Sequence, residues 1–395
     1  MLNSLTNLQS VNTESNNQSS SITRILLELT IIVSVLSQIE VIEGIVRPVM
    51  YASWMVVIGW GIVKNNFRVK ISPFTKRFIV IYVAFASFCL IAGQFDDAYL
   101  SSNYLKVLLV PLLVTIAGDM YANMDRELLN RLAMLYLISS VAFAVWVQFT
   151  YFTSYGDWLT SRTYLFEQKN SAGQIWCSAI FIALFFVEYK NNVQRYIAYF
   201  GAFYLFVMTA VSQCRTAILG IAVAVMAYTV SKSKHKVNLV FIFSLLVGVS
   251  LFIPFVRDFF EQAFLLNKFE GADLNTFSSG RLGAYEVALQ DFFSSPIIGV
   301  GCYYVDCSYL SILAESGLLG FCLIESVWLK KIILSLRAFK HGGVVFFMIF
   351  FYVVESTLEG YPPFGPGVSS FMFWFLSEIL YSQSVAGQKN NEVSK

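Results

Sequence analysis

YIAYFGAFYLFVMTAVSQCRTAILGIAVAVMAYTV, residues 196–230, is an apolar stretch of 35 residues whose polar interruption, Gln213-Cys214-Arg215, falls near its middle. A helix needs about 20 apolar residues to cross a hydrocarbon core about 30 Å thick. The stretch is therefore long for one crossing and tight for two. Its flanks decide between them: Lys190 and Arg195 precede it, and Lys232, Lys234 and Lys236 follow it. Basic residues collect on the cytoplasmic side of a membrane, so both ends belong to the same side and the chain must turn back at Gln213-Cys214-Arg215. Arg215 is thereby set at the outer membrane boundary, where a permanent charge requires a partner or a task.

The rest of the chain repeats the pattern. Of 395 residues 57% are hydrophobic and 13% charged, about half the charge with which soluble domains cover their surface. Long continuous apolar runs, instead of alternation, exclude a membrane β-barrel. The runs predict an all-α polytopic membrane protein of about twelve helices, over residues 22–39, 45–63, 78–93, 104–118, 128–151, 173–187, 196–211, 216–230, 237–256, 308–329, 344–358 and 368–382. With both termini inside, 19 of the 27 Lys and Arg fall on the inner side, as the positive-inside rule requires. The organisation expected is a Ser/Asn-rich cytoplasmic tail over 1–21, one transmembrane domain over 22–382, and a second cytoplasmic tail over 383–395. A net charge of +2 gives no sign of a nucleic-acid partner. The six cysteines have neither metal-ligand spacing nor a CxxC motif, so neither a metal nor a cofactor is expected.

Two outer loops stand out by length, about 152–172 and 257–307. The second holds seven acidic residues against three basic ones. Within it, Leu282, Tyr285, Leu289, Phe292 and Phe293 recur at helical spacing, which predicts an amphipathic helix on the membrane surface. Arg162, Arg215 and Arg281 all fall on the outer face. A guanidinium grips phosphate oxygens in bidentate fashion, so the three together suit a lipid-linked diphosphate whose leaving group must be stabilised. Each taken singly also fits a side chain reaching lipid headgroups or an outer acid. Tyr164, Tyr303 and Tyr304 offer rings on which sugars stack, and Glu355 and Glu359 stand beside a rigid Pro/Gly-rich turn over 360–367.

Four further stretches complete the pattern: Ser279-Gly280-Arg281-Leu282-Gly283, Ser295-Pro296-Ile297-Ile298-Gly299-Val300-Gly301, Asp306-Cys307-Ser308-Tyr309-Leu310, and Glu315-Ser316-Gly317-Leu318-Leu319-Gly320. In order and spacing they resemble the O-antigen polymerase and ligase superfamily. That family has an arginine before a surface helix, a Pro-x-x-Gly-x-Gly turn, a His-Asn-x-Tyr-Leu start to the next span, and Glu-x-Gly-x-x-Gly within it. Ser212-Gln213-Cys214-Arg215-Thr216 is similar to the family's Ser-Arg motif. Arg162, then ten intervening residues, then Gly173 resembles the arginine-to-glycine pattern of Wzy-type polymerases. The resemblance covers about residues 162–382 and implies a GT-C-like architecture in a bacterial inner membrane. It also implies metal-independent glycosyl transfer on the periplasmic face, joining repeat units carried on undecaprenyl pyrophosphate, with a chain-length regulator and a flippase as partners beside the membrane lipids.

One departure bears on the chemistry. The family's histidine falls on Asp306 and its asparagine on Cys307, while the chain's two histidines, His235 and His341, fall in expected cytoplasmic loops. A carboxylate must then deprotonate the acceptor hydroxyl. Asp306 is the first candidate, with Glu315 and Glu359 behind it. Asp306 is equally suited to cap the helix that follows it. Loss of the histidine, on which the ligases depend, favours a polymerase over a ligase. A lipid-linked glycan flippase is the alternative from another class, although no repeat symmetry of the transporter kind is visible.

Overall fold

The computed structural model describes residues 21–67, 69, 71–151, 169–232, 280–338, 343–365 and 369–393. Among them the regular structure is helical throughout: α1 (residues 21–36), α2 (Glu40–Lys64), α3 (Pro73–Ala92), α4 (Asn103–Met120), α5 (Arg126–Tyr151), α6 (Lys169–Phe185), α7 (Asn192–Val211), α8 (Arg215–Lys232), α9 (Arg281–Ser294), α10 (Ser308–Ala338), α11 (Val344–Leu358) and α12 (Phe371–Val393). Five of these, α2, α3, α4, α5 and α10, are long and apolar enough to cross a membrane, and α8 and α11 are shorter apolar helices. Large apolar side chains such as Val41, Ile45, Val80, Phe149 and Phe200 point outward, as lipid-facing surface does. The chain is an integral membrane protein. The expected helix over 237–256 lies outside the described residues, and α12 runs on through the stretch expected as a tail.

The reversal at Gln213-Cys214-Arg215 is present. α7 starts on an Asn191 cap whose side chain accepts from Gln194 N and stops at Ser212, and Gln213 takes a left-handed φ of 54° before α8 begins. Gly173, near the start of α6, abuts Cys214 and Ala217 at the start of α8. Phe185, at the end of α6, meets Tyr228 near the end of α8. The two helices are therefore parallel, and α7 between them runs the other way. α8 packs on α11, where bare Gly220 admits the Phe351 ring and Tyr228 lies 4.7 Å from Phe347; small residues permit such close approach between membrane helices.

α10, expected as one span, is broken. Gly317 adopts φ 60° and ψ −165°, so four backbone groups lose their helical partners. The preceding Pro296-x-x-Gly299-x-Gly301 turn supplies them. Val300 N donates to Ala314 O at 2.8 Å and Gly301 N to Glu315 O at 3.0 Å, while Leu318 N donates to Pro296 O at 2.9 Å and Leu319 N to Ile297 O at 3.1 Å. The two glycine motifs are thus complementary halves of one joint. A Cβ on Gly299 would lie 2.5 Å from the Glu315 carbonyl, and one on Gly317 would lie 2.4 Å from that of Ile297.

At the opposite end of α10, Lys331 Nζ pairs with Glu378 Oε2 at 2.6 Å, both fully buried. Ser72, the α3 cap, donates to Glu378 Oε1 at 3.0 Å through its hydroxyl and to Asp119 Oδ2 at 2.8 Å through its amide. One buried polar knot therefore ties α3, α4, α10 and α12. The joint at Gly317 gives a test. Gly299→Ala and Gly317→Ala should each cost about 3 kcal/mol or more and remove most folded protein from a detergent size-exclusion profile. Gly59→Ala, where a methyl meets nothing within 4 Å, should leave yield and thermal midpoint unchanged.

Candidate functional site

α9 begins where Gly280 takes a left-handed φ of 83°, which turns the first helical residue, Arg281, inward. Its Nε donates to Asp306 Oδ2 at 3.1 Å and its Nη2 to Glu359 Oε1 at 2.9 Å. These two nitrogens form one edge of the guanidinium, so the carboxylates stand side by side along it. Four residues on, the Tyr285 hydroxyl donates to the Asp306 main-chain oxygen. Asp306 Oδ1 also accepts from the Tyr304 hydroxyl at 2.8 Å, so both of its oxygens are engaged and neither caps α10. Cys307 takes that place, its thiol set against the amides of Tyr309 and Leu310.

Glu359 directly follows α11, and its second oxygen accepts from Asn170 Nδ2 at 2.9 Å. One turn earlier on α11, buried Glu355 accepts from Gln174 Nε2 at 2.9 Å. Gln174 is held in that orientation by Ser369, whose hydroxyl donates to its Oε1 at 2.6 Å. Lys169 opens the described part of α6, and its carbonyl accepts from the Cys214 thiol at 2.9 Å. Its ammonium lies within electrostatic reach of Arg215, Glu359 and Arg281. Arg215, the first residue of α8, precedes Thr216, which faces Glu355. Segments far apart in the chain thus meet at one end of the bundle, the end expected to face outward.

Burial raises the Glu359 carboxyl above the usual carboxylate range, with the Arg281 charge pulling it back and Asp306 adding to the rise. Burial works against the Arg281 charge, but Glu359 and Asp306 outweigh it and hold the guanidinium more firmly protonated than usual. Burial first, then Asp306, pushes the Tyr304 phenol upward, so it stays a donor. Asp306 is the accessible acid of the pair, its side chain 34% exposed against 7% for Glu359.

Among the expected site residues, Arg215, Arg281, Asp306, Glu359 and Tyr304 come together. Glu315 stands apart: buried, it accepts from the Ser102 hydroxyl and from the amides of Tyr104 and Tyr303, each at 3.3 Å, and shares no hydrogen bond with the Arg281 cluster. These contacts fasten the start of α4 and the segment after Gly301 to α10. Tyr303 points its hydroxyl to Asp291, away from Asp306. Tyr304 is the exposed ring of the pair, seated over bare Gly360, where a Cβ would lie 2.3 Å from its edge, and 5.1 Å from the Tyr361 ring. Arg162, Tyr164 and both histidines lie outside the described residues.

Sequence reasoning did not single out Lys169, Asn170, Gln174 or Thr216. The available signal was Gln174, an amide inside an otherwise apolar helix, which must find a partner when buried. No protein-family model matches the chain, and no curated protein is significantly similar to it.

The Arg281 pair gives a pH test. Removing its charge in Arg281→Gln should lift the Glu359 pKa further above its unfolded value, so the folded state holds a proton that the unfolded state has lost. Stability must then fall as pH rises above the ordinary glutamate range, by up to about 1.4 kcal/mol per pH unit until the folded carboxyl ionises. Thermal midpoints of the purified protein between pH 4 and 8 should show this slope relative to the unsubstituted chain, and adding Glu359→Gln should flatten it.

Proposed function

We propose that the chain is a glycosyltransferase polymerising polyprenyl-diphosphate-linked oligosaccharide repeat units on the outer face of a bacterial inner membrane, as an O-antigen polymerase of the Wzy type. The observation that carries this reading is the gathering of Lys169, Arg215 and Arg281 beside Asp306 and Glu359. Arg215 and Arg281 are each the first residue of a helix with no acid in its first turn. A cation there opposes the helix dipole by about 0.3–1 kcal/mol, a cost that a bound anion reverses. An array of this kind suits a diphosphate. About twelve spans and a GT-C-like arrangement belong to the same proposal.

In this reading a hydroxyl of the acceptor unit attacks the anomeric carbon of the donor glycan. Asp306, the more accessible acid, takes the hydroxyl proton as the new C–O bond forms. The anomeric C–O bond to the diphosphate breaks, and its electron pair leaves with the polyprenyl diphosphate toward Lys169 and Arg215. Direct displacement of this kind inverts the anomeric centre. Arg281, engaged by two carboxylates, orients the base, while Tyr304 presents a ring for the acceptor sugar. Glu359 fixes Arg281 from below. A ligase would share the leaving group, and a flippase the diphosphate.

Deleting the gene and separating the lipopolysaccharide on a gel tests the proposal. A single repeat unit on core supports a polymerase; bare core points to a ligase or exporter. In complementation, Arg215→Ala, Arg281→Ala and Asp306→Asn should each abolish long chains with the protein still inserted. Normal ladders from the two arginine variants would overturn the proposal.

A further inference from the structure

α9 has four sides, because successive helical residues are turned by about 100°, one of them carrying Ala284, Val287 and Asp291. Arg281, Tyr285, Ala288 and Phe292 share the side turned to the protein, where Arg281 and Tyr285 hold Asp306 and Ala288 is buried. Gly283, Glu286, Gln290 and Ser294 share the side most distant from it. On the other flank lie Leu282, Leu289 and Phe293, with Phe293 71% exposed. A helix with protein on one face, polar residues opposite and bare apolar residues between them fits the membrane boundary.

This flank continues downward. Beyond α9 the next exposed apolar residue in line is Ile297, 64% exposed, whose carbonyl is bonded to Leu319 N in the α10 break. There the strip passes to α10, where Leu318, Cys322 and Leu329 are exposed at spacings of four and seven residues. The break lies nine residues below the start of α10, about 13 Å at 1.5 Å per residue. The turn over 295–301 is therefore drawn to hydrocarbon depth, which irregular backbone tolerates only with its polar groups satisfied by protein; the four bonds of the joint meet that condition.

We infer that the strip Leu282–Leu289–Phe293–Ile297–Leu318 seats the polyprenyl tail of the lipid-linked diphosphate. The inference rests on the reading of the Lys169–Arg215–Arg281 cluster as a diphosphate site. A diphosphate held by Lys169 and Arg215 stands within electrostatic reach of Arg281, and the strip that could carry its hydrocarbon chain away begins at the residue after Arg281. It then descends without a charged side chain into the membrane. Bulk phospholipid and a second copy of this chain are the competing occupants.

The test uses the full-length protein in nanodiscs of phosphatidylethanolamine and phosphatidylglycerol. The probe is a polyprenyl diphosphate carrying a diazirine in an isoprene unit near the head, and adducts are mapped by mass spectrometry. Label should fall on residues 282–297 and drop about tenfold with unlabelled polyprenyl diphosphate at about ten times its Kd, but not with an equal excess of phosphatidylglycerol. Phe293→Asn and Ile297→Asn, both on open surface, should reduce this label at an unchanged thermal midpoint. Equal competition by phosphatidylglycerol would mark the strip as ordinary lipid contact and overturn the inference. Competable label that maps to another helix and disappears in Arg215→Ala would overturn it too, with the diphosphate reading intact. Absence of competable label anywhere would overturn both, and crosslinked dimers with the strip shielded would assign it to a second copy.

Discussion

A helix cannot be interrupted inside a membrane unless other backbone takes up the hydrogen bonds it drops, because hydrocarbon offers none. The joint between Gly317 and the 296–301 turn meets that demand with four main-chain bonds, and much of the outer architecture hangs on it. The turn pins the C-terminal end of α9. The segment after the turn is pinned by Glu315 through the Tyr303 amide. Between these two anchors α9 and the 302–307 segment have little freedom, so Arg281 and Asp306 meet. Glycine is required on both sides of the joint because both backbones occupy the space of a Cβ.

Electrostatics then separates the three acids of this outer end. Glu315 is surrounded by donors that hold backbone in place, and a carboxylate so used would release its contacts if it took a proton. Glu359 is nearly enclosed, and its ionised form depends on Arg281. Asp306 differs: it belongs to the same arginine edge but is a third exposed, and its tyrosine partner stays protonated. In the proposed reaction these surroundings make Asp306 the accessible base, Glu359 the partner that positions Arg281, and Glu315 a structural anchor. It also changes the part of Arg281. A guanidinium edge already filled by two carboxylates is a poor first grip for a phosphate, so in the proposed site that task passes to Arg215 and Lys169.

The fold was legible wherever one physical rule dominated. Charge asymmetry around residues 196–230 gave the reversal at Gln213, since no other arrangement keeps Lys190 and Lys232 on one side. Apolar spacing gave α9 to within a residue at each end. The break in α10 was not legible, because Leu318-Leu319 reads as uninterrupted apolar helix and its cause lies some twenty residues earlier in another motif. In the site, the charged residues were visible as exceptions in an apolar chain. Lys169 and Asn170 were hidden inside a polar loop, where a polar residue is no exception. Their importance comes from α6 packing Gly173 against Cys214, a contact that no local pattern encodes.

The cluster also suits an aspartate at the position where the resembling family has histidine. A neutral imidazole between an arginine and a tyrosine would lack the charge that Arg281 demands, and a protonated one would repel it. An aspartate satisfies Arg281 and Tyr304 at once and keeps a lone pair on each oxygen for an incoming hydroxyl. Arg281's grip on that aspartate is shared with Glu359. The buried glutamate thus fixes the guanidinium that in turn holds the exposed aspartate in place, without itself touching the proposed acceptor. That division of labour needs α9, α11 and the 302–307 segment held rigidly together, which returns the chemistry to the backbone joint at Gly317.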